Sequence, residues 1–221
     1  MIKIDPSTFQ FLKKLSINNN REWFSEHKDL YTRVKTNFES FVQELINNLS
    51  EYDRTLHGIE ARSCIFRINR DTRFSDDKSP YKTNLGALII KGGRKNIHRF
   101  AGYYIHVEPG ESLTAGGAYI PPSEWLTAIR EKIIDNPAEF LQITENREFT
   151  RKFGGIEGDK LKRVPKGFNP DHPFAELIKY KSYLVSRSYT DRDVISQDFF
   201  ESVLEDFLAI KPLNDFLNSC Y

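Results

Sequence analysis

Within FRINRDTRFSDDKSPYKTN, residues 66–84, the chain gathers three arginines, two lysines, three aspartates, two asparagines and a tyrosine. Arginine offers a planar fork of donors suited to phosphate or carboxylate, and lysine adds a mobile point charge, so cations converging from one segment make an anion site. Arg67, Arg70, Arg73, Lys78 and Lys82 are the candidates to hold the anion. Asp71, set between Arg70 and Arg73, and Asp77 are candidate general bases or metal ligands, and Tyr81 is a candidate proton donor. From Arg62 to Arg99 there are ten Lys or Arg against three Asp or Glu, an excess of seven cations on a chain whose net charge is +1. The competing reading is that these charges pair among themselves and pin a loop to the fold. Exposed pairs contribute only about 0–1 kcal/mol each, a weak reason to assemble so many. Pro80 fixes its own φ and turns Ser79 away from helix, which suits an ordered loop.

A second group stands near the N-terminus, where Arg21 and Trp23 open a helix and place a cation and a flat ring beside helix-end N–H groups that favour anions. If that first turn faces the 67–82 segment, both line one cleft; otherwise Trp23 anchors the core and Arg21 is a solvated first-turn residue. Gly116 and Gly117 in AGGAY either let a ligand approach the backbone or mark a bulge or tight packing. Other motifs are incomplete. His106 and Glu108 echo the H-x-E of zinc deaminases and share a strand face, but no P-C-x-x-C follows, and only His98 offers itself as a further metal ligand. Asn69-Arg70-Asp71 echoes the kinase H-R-D without its glycine loop or D-F-G, and GGIEGDK has the wrong spacing for a Walker loop.

The run Arg70-Asp71-x-Arg73-Phe74-Ser75-x-Asp77-Lys78-Ser79-Pro80-Tyr81-Lys82 closely resembles the signature of a widespread family of bacterial and fungal proteins known as a conserved domain of unknown function. The likeness extends to NNNREWFSEHK, AGGAYIPPSEWLTAIR and KGFNPDHPFAELIKYKS, and so to most of the chain; Asn20, Arg21, Trp23, Phe24, Lys28 and Tyr31 also match a family motif. The resemblance implies one domain of about 200 residues. It carries no established reaction, cofactor or catalytic residue.

These residues need elements to position them. Asp5-Pro6 reads as a helix start, followed by a stripe of Phe9, Leu12 and Leu15. Asn19, three before Glu22, reads as the capping residue of one long helix with its seam at Phe24, His27, Tyr31, Val34, Phe38, Phe41, Leu45 and Leu49. On that seam His27 is read as partly buried and hydrogen-bonded. From residue 63 the period becomes two: SCIFRINRD predicts a strand with Cys64, Phe66 and Ile68 on one face, and LGALIIKGG, AGYYIHVEPG and SLTAGGAYI predict three more, joined by turn-like KGGRKN and EPGE into an antiparallel meander. PPSEWLTAIREKI, NPAEFLQIT and DHPFAELI predict helices, 153–170 an exposed connection, and KSYLVSRSY a late strand. The last helices, around Phe199, Phe200, Val203, Leu204, Phe207 and Leu208, carry an acidic outer face. The fold class is therefore α+β, one domain over 1–221 with helices on a mostly antiparallel sheet.

With 39% apolar and 29% charged residues the composition is that of a soluble globular chain, and near-zero net charge excludes general polyanion binding. Two cysteines make neither a disulfide framework nor a C-x-x-C site. The start MIKIDPSTFQ has no apolar leader and no run approaches a membrane span, so the expected location is the cytoplasm, with no membrane partner. The sequence points to a small phosphorylated or carboxylated ligand bound at the 67–82 segment, with a reaction left open and no cofactor or oligomeric state indicated. Its rival is a nucleic-acid-binding module using 62–99 with Tyr81, Phe100, Tyr103 and Tyr104 as stacking groups.

Overall fold

A computed structural model describes residues 2–73 and 75–220. Phe74, within the signature run, lies outside the described residues. Helix α1 (Ser7–Ile17) starts where Asp5 Oδ1 accepts the Ser7 N–H at 2.7 Å, and it buries Phe11 beside the expected Phe9, Leu12 and Leu15. The long helix foreseen after it is two. Helix α2 (Arg21–Glu26) ends and α3 (Lys28–Ser50) begins at His27, which leaves helical geometry (φ −107°, ψ 18°) and lays its ring on Trp23 at 4.0 Å. His27 is half-buried, and its Nδ1 donates to the Trp23 carbonyl at 2.8 Å, as its place on the seam implied. The cap of α2 is Asn20, accepting the Trp23 N–H at 2.9 Å, rather than Asn19, whose amide is drawn to the 67–82 segment.

The strand expected over 63–71 is replaced by the short helix α4 (Ala61–Cys64) and an irregular extended run. Cys64, Ile65 and Ile68 are its buried side chains, and Phe66 is only partly covered. That spacing fits a turn leading into a twisted segment, not the alternation of a regular strand. The other four strands form as expected: β1 (Leu85–Ile89), β2 (Gly102–Val107), β3 (Ser112–Ala118) and β4 (Tyr183–Tyr189), an antiparallel meander in the order β1-β2-β3-β4. The fold is α+β.

Between the third and fourth strands lie α5 (Ser123–Asp135), α6 (Pro137–Thr144) and α7 (Arg147–Phe153). DHPFAELI is not an α-helix; its turns pass into a single 3₁₀ turn at Leu177–Lys179. The connection after α7 is more ordered than its glycines suggested, because Glu157 bridges to Leu184 and Lys160 to Tyr180 at the edge of β4. Helix α8 (Asp191–Val194) leads to α9 (Phe199–Asn218), one continuous helix through Pro212. Proline removes one backbone bond there, and burial of Leu213, Phe216 and Leu217 holds the second half in place.

Alternation along the strands sorts the sheet into two faces. Ala87 and Ile89, Tyr103 and Ile105, Thr114 and Val185 point into the core, where α3 and α9 pack. Gly116 permits the close approach of α9, since a Cβ there would come within 2.5 Å of the Ile210 side chain. The acidic face expected for α9 has one exception of consequence: Asp206 is fully buried against the sheet. Its Oδ1 accepts from Arg187 at 2.8 Å and Lys152 at 3.1 Å, and its Oδ2 from Thr114 at 2.8 Å and Tyr189 at 2.5 Å. Four donors satisfy the carboxylate, so α9 is riveted to β3 and β4. Removing one partner of such a buried group strands the others. Urea unfolding is therefore expected to show Asp206→Ala less stable by about 3–5 kcal/mol, and the exposed neighbour Glu205→Ala by less than about 1 kcal/mol; equal losses would contradict the rivet.

Candidate functional site

The signature run is a loop closed by two backbone segments lying side by side. Phe66 N–H donates to Gly86 O at 2.9 Å, Lys82 N–H to Ile68 O at 2.8 Å, and Arg70 N–H to Pro80 O at 2.9 Å. Inside the loop the charges are largely engaged with one another. Asp71 receives Arg73 through Nε at 2.9 Å and Nη2 at 2.6 Å, and Arg70 pairs with Asp77. Asp77 also accepts the Ser79 hydroxyl and, at 2.8 Å, its N–H, while Lys78 reaches the Thr72 carbonyl at 3.1 Å. The Ser79 hydroxyl and N–H, followed by Arg70, hold the Asp77 carboxyl far below the usual range, and Arg73 lowers the Asp71 carboxyl. A general base is most effective with a pKa near the working pH, and both carboxyls are shifted away from it. Arg67 is exposed beside this loop.

Two contacts fasten the segment to the N-terminal helices. Asn19 clamps the backbone of Tyr81, its Nδ2 donating to the carbonyl at 3.0 Å and its Oδ1 accepting the N–H at 3.1 Å. The Tyr81 ring is buried and stacks on Phe24 at 3.9 Å. Helix α2 thus does face the 67–82 segment, but through Phe24. Trp23 turns to His27 and to Phe11, 6.0 Å away, and Arg21 stays exposed.

A concavity lies beside the loop, on the open face of the sheet. A hollow of about 630 Å³ is floored by Gly86, Gly102, Ala115 and Ser186 and walled by Phe66, Leu88, Leu113 and Tyr119. Small residues at successive strand positions create it. Ile120, beside Tyr119, holds φ at +44°, a strained value for a β-branched residue, with its N–H bonded to Ser182 Oγ at 2.9 Å. Of the cations singled out in the sequence, Lys82 lines the hollow, with Nζ 5.2 Å from the centre of the Phe66 ring. Burial, then Arg67 and Arg94, lower the Lys82 pKa. Across the hollow Glu157 accepts the Ser186 hydroxyl at 2.8 Å. Tyr104 also faces it, its hydroxyl 3.0 Å from His106 Nδ1, and His106 Nε2 lies 2.8 Å from Glu108. Among the described residues no three His, Cys, Asp or Glu side chains converge to hold a metal ion.

The profile of one family matches residues 7–216. The chain belongs to DUF2461, a family of conserved hypothetical proteins. No curated protein and no solved structure matches the chain. Among the described residues no helix is long and apolar enough to cross a membrane. In this DUF2461 chain the sequence reading missed Glu157 and Ser186, which come together only through the pairing of a loop with β4. His106 and Glu108 were legible as one strand face, whereas Tyr104, two residues earlier on the same face, was read only as a stacking group.

Two expectations follow. Asn19→Ala removes both bonds to the Tyr81 backbone and is expected to lower stability by about 1–3 kcal/mol in denaturant unfolding and to speed hydrogen exchange at Tyr81; unchanged exchange there would contradict the clamp. Burial alone would raise the Glu108 carboxyl, but Thr83 and His106 outweigh it and hold it below the usual range. Its depressed pKa supplies stability that is present above the ordinary carboxylate pKa of about 4.3 and is lost as pH falls through the folded-state value. Glu108→Gln is therefore expected to narrow the stability difference between neutral and acidic pH, measured by urea unfolding at each pH.

Proposed function

We propose that this DUF2461 protein binds a small organic carboxylate or phosphate in the hollow on the open face of its sheet, with Lys82 as the group that meets the anion. The supporting observation is the state of Lys82: an ammonium half-withdrawn from water, at the wall of a largely apolar hollow, with no carboxylate partner among the described residues. A cation in that position is short of counter-charge, and an entering anion supplies it in a charge-assisted contact. Arg67 and Arg94 add positive potential. The floor of Gly86, Gly102 and Ala115 suits the flat apolar body of such a ligand. Arg70, Arg73, Lys78, Asp71 and Asp77 act as the frame that holds Lys82 at the rim, since their charges are met within the loop. Nucleic-acid binding has less support, because Tyr103 is in the core and Tyr81 is stacked on Phe24, out of reach of bases.

Calorimetric titration with phenyl phosphate and with benzoate tests the reading. Lys82→Ala is expected to weaken binding at least about tenfold, as loss of a charge-assisted contact of ~1.5–3 kcal/mol implies. Ala115→Leu, which fills the floor, is expected to abolish binding, and Lys14→Ala, the loss of an exposed cation on α1 outside the hollow, to leave it unchanged. Equal affinity in wild type, Lys82→Ala and Ala115→Leu would overturn the proposal.

A further inference from the structure

Three titratable side chains stand in a row on the open face of β2. Tyr104, His106 and Glu108 occupy alternate positions of one strand and its end, so they share a face, and each meets the next: Tyr104 Oη to His106 Nδ1 at 3.0 Å, His106 Nε2 to Glu108 Oε2 at 2.8 Å. The far end is anchored by Thr83, whose hydroxyl donates to Glu108 Oε1 at 2.5 Å. The near end opens into the hollow, since Tyr104 is one of its lining residues. On the strands flanking His106 stand Gly86 and Leu113, neither of which titrates. The charged group nearest in sequence to the anchor is Lys82, adjacent to Thr83. Phe66 is close to both Lys82 and Tyr104, with the Lys82 ammonium 5.2 Å from its ring centre and the Tyr104 ring centre at 6.2 Å.

We propose that Tyr104, His106 and Glu108 form a proton relay into the hollow, and that the ligand held by Lys82 carries a hydroxyl, alcoholic or phenolic, which meets the Tyr104 oxygen. The anion part of this inference rests on the binding reading above; the relay rests on the geometry of β2.

Tautomer logic sets its direction. Glu108 is a carboxylate and can only accept, so His106 carries its proton on Nε2 and presents a lone pair at Nδ1. The Tyr104 hydroxyl must then donate to Nδ1, which leaves its oxygen able to accept from a ligand donor. Burial, with the charge of Glu108, pushes the Tyr104 phenol up to about 12, so the residue works as a neutral conduit and not as a tyrosinate. When a ligand hydroxyl gives its proton to Tyr104 Oη, the tyrosine proton passes to His106 Nδ1. The electron pair of the broken O–H bond stays on the ligand oxygen. The resulting imidazolium lies between Tyr104 and the Glu108 carboxylate, which stabilises it as an orienting carboxylate does in a hydrolase triad. Proton count and total charge are unchanged, and no co-reactant is consumed. The chemistry suits a hydroxy acid or a hydroxyl-bearing phosphate ester, whose oxygen it renders nucleophilic.

The probe is 4-hydroxy-3-nitrophenylacetate, a carboxylate whose phenolate absorbs in the visible, combined with side-chain ¹⁵N spectra of His106. In the free protein His106 is expected as the Nε2–H tautomer, and Tyr104→Phe is expected to shift the Nδ1 resonance without changing the tautomer. With the probe bound, phenolate absorbance is expected at about one pH unit below the free probe's pKa, a roughly tenfold gain in ionisation, together with His106 protonation. Tyr104→Phe should keep binding and lose both signals, which separates the relay from simple attraction to Lys82. Binding that Lys82→Ala weakens, without phenolate and with His106 neutral, overturns the relay and leaves the binding reading standing. Absence of binding to wild type overturns both. An Nδ1–H tautomer in the free protein overturns the relay by itself.

Discussion

Four antiparallel strands that send alternate side chains to opposite faces can bury only one of those faces under α3 and α9. The buried face is fixed by aromatic and aliphatic packing and by the Asp206 carboxylate, whose four donors tie α9 to β3 and β4. The opposite face carries glycine, alanine and serine near its middle, where a larger residue would close the surface. Rigid backing and small side chains together produce a hollow that does not depend on a mobile loop for its floor.

The charged segment acquires its role from that arrangement. Its backbone pairs with the start of β1, its ring Tyr81 is stacked on Phe24, and Asn19 holds it from the side. Two ion pairs, Arg70 with Asp77 and Arg73 with Asp71, form within it: exposed pairs of this kind add little to stability singly, but together with Asp77 capping Ser79 they fix a loop shape. Among the described residues Arg67, Lys78 and Lys82 have no carboxylate partner, and of these Lys82 lines the hollow. Position along the loop thus decides which charges are paired within it and which one lines the hollow.

The meander was readable because hydrophobic alternation and turn glycines both survive in the sequence, and the helices because their stripes recur at three and four. The segment 63–71 misled because its apolar residues fit a strand, whereas Ile65 follows Cys64 directly into the core and the ladder with residues 80–87 is broken into single bridges. Asp206 departs from the acidic outer face expected of the last helix, since it falls three residues after Val203 and four before Ile210, on the buried stripe itself. The charge-rich run was located correctly as a segment, but pairing inside it could not be read from spacing. The hollow was illegible for a different reason: Lys82, Tyr104, Glu157 and Ser186 meet only through strand register and a loop bridge.

The central claim is that Lys82 is a cation in want of an anion. Its ammonium titration, followed through the side-chain ¹³Cε and ¹⁵Nζ resonances, tests this most directly. The account predicts a pKa below the ordinary lysine value of about 10.4 in the free protein and a rise when phenyl phosphate is added. Titration at the ordinary value, unmoved by phenyl phosphate, would contradict it.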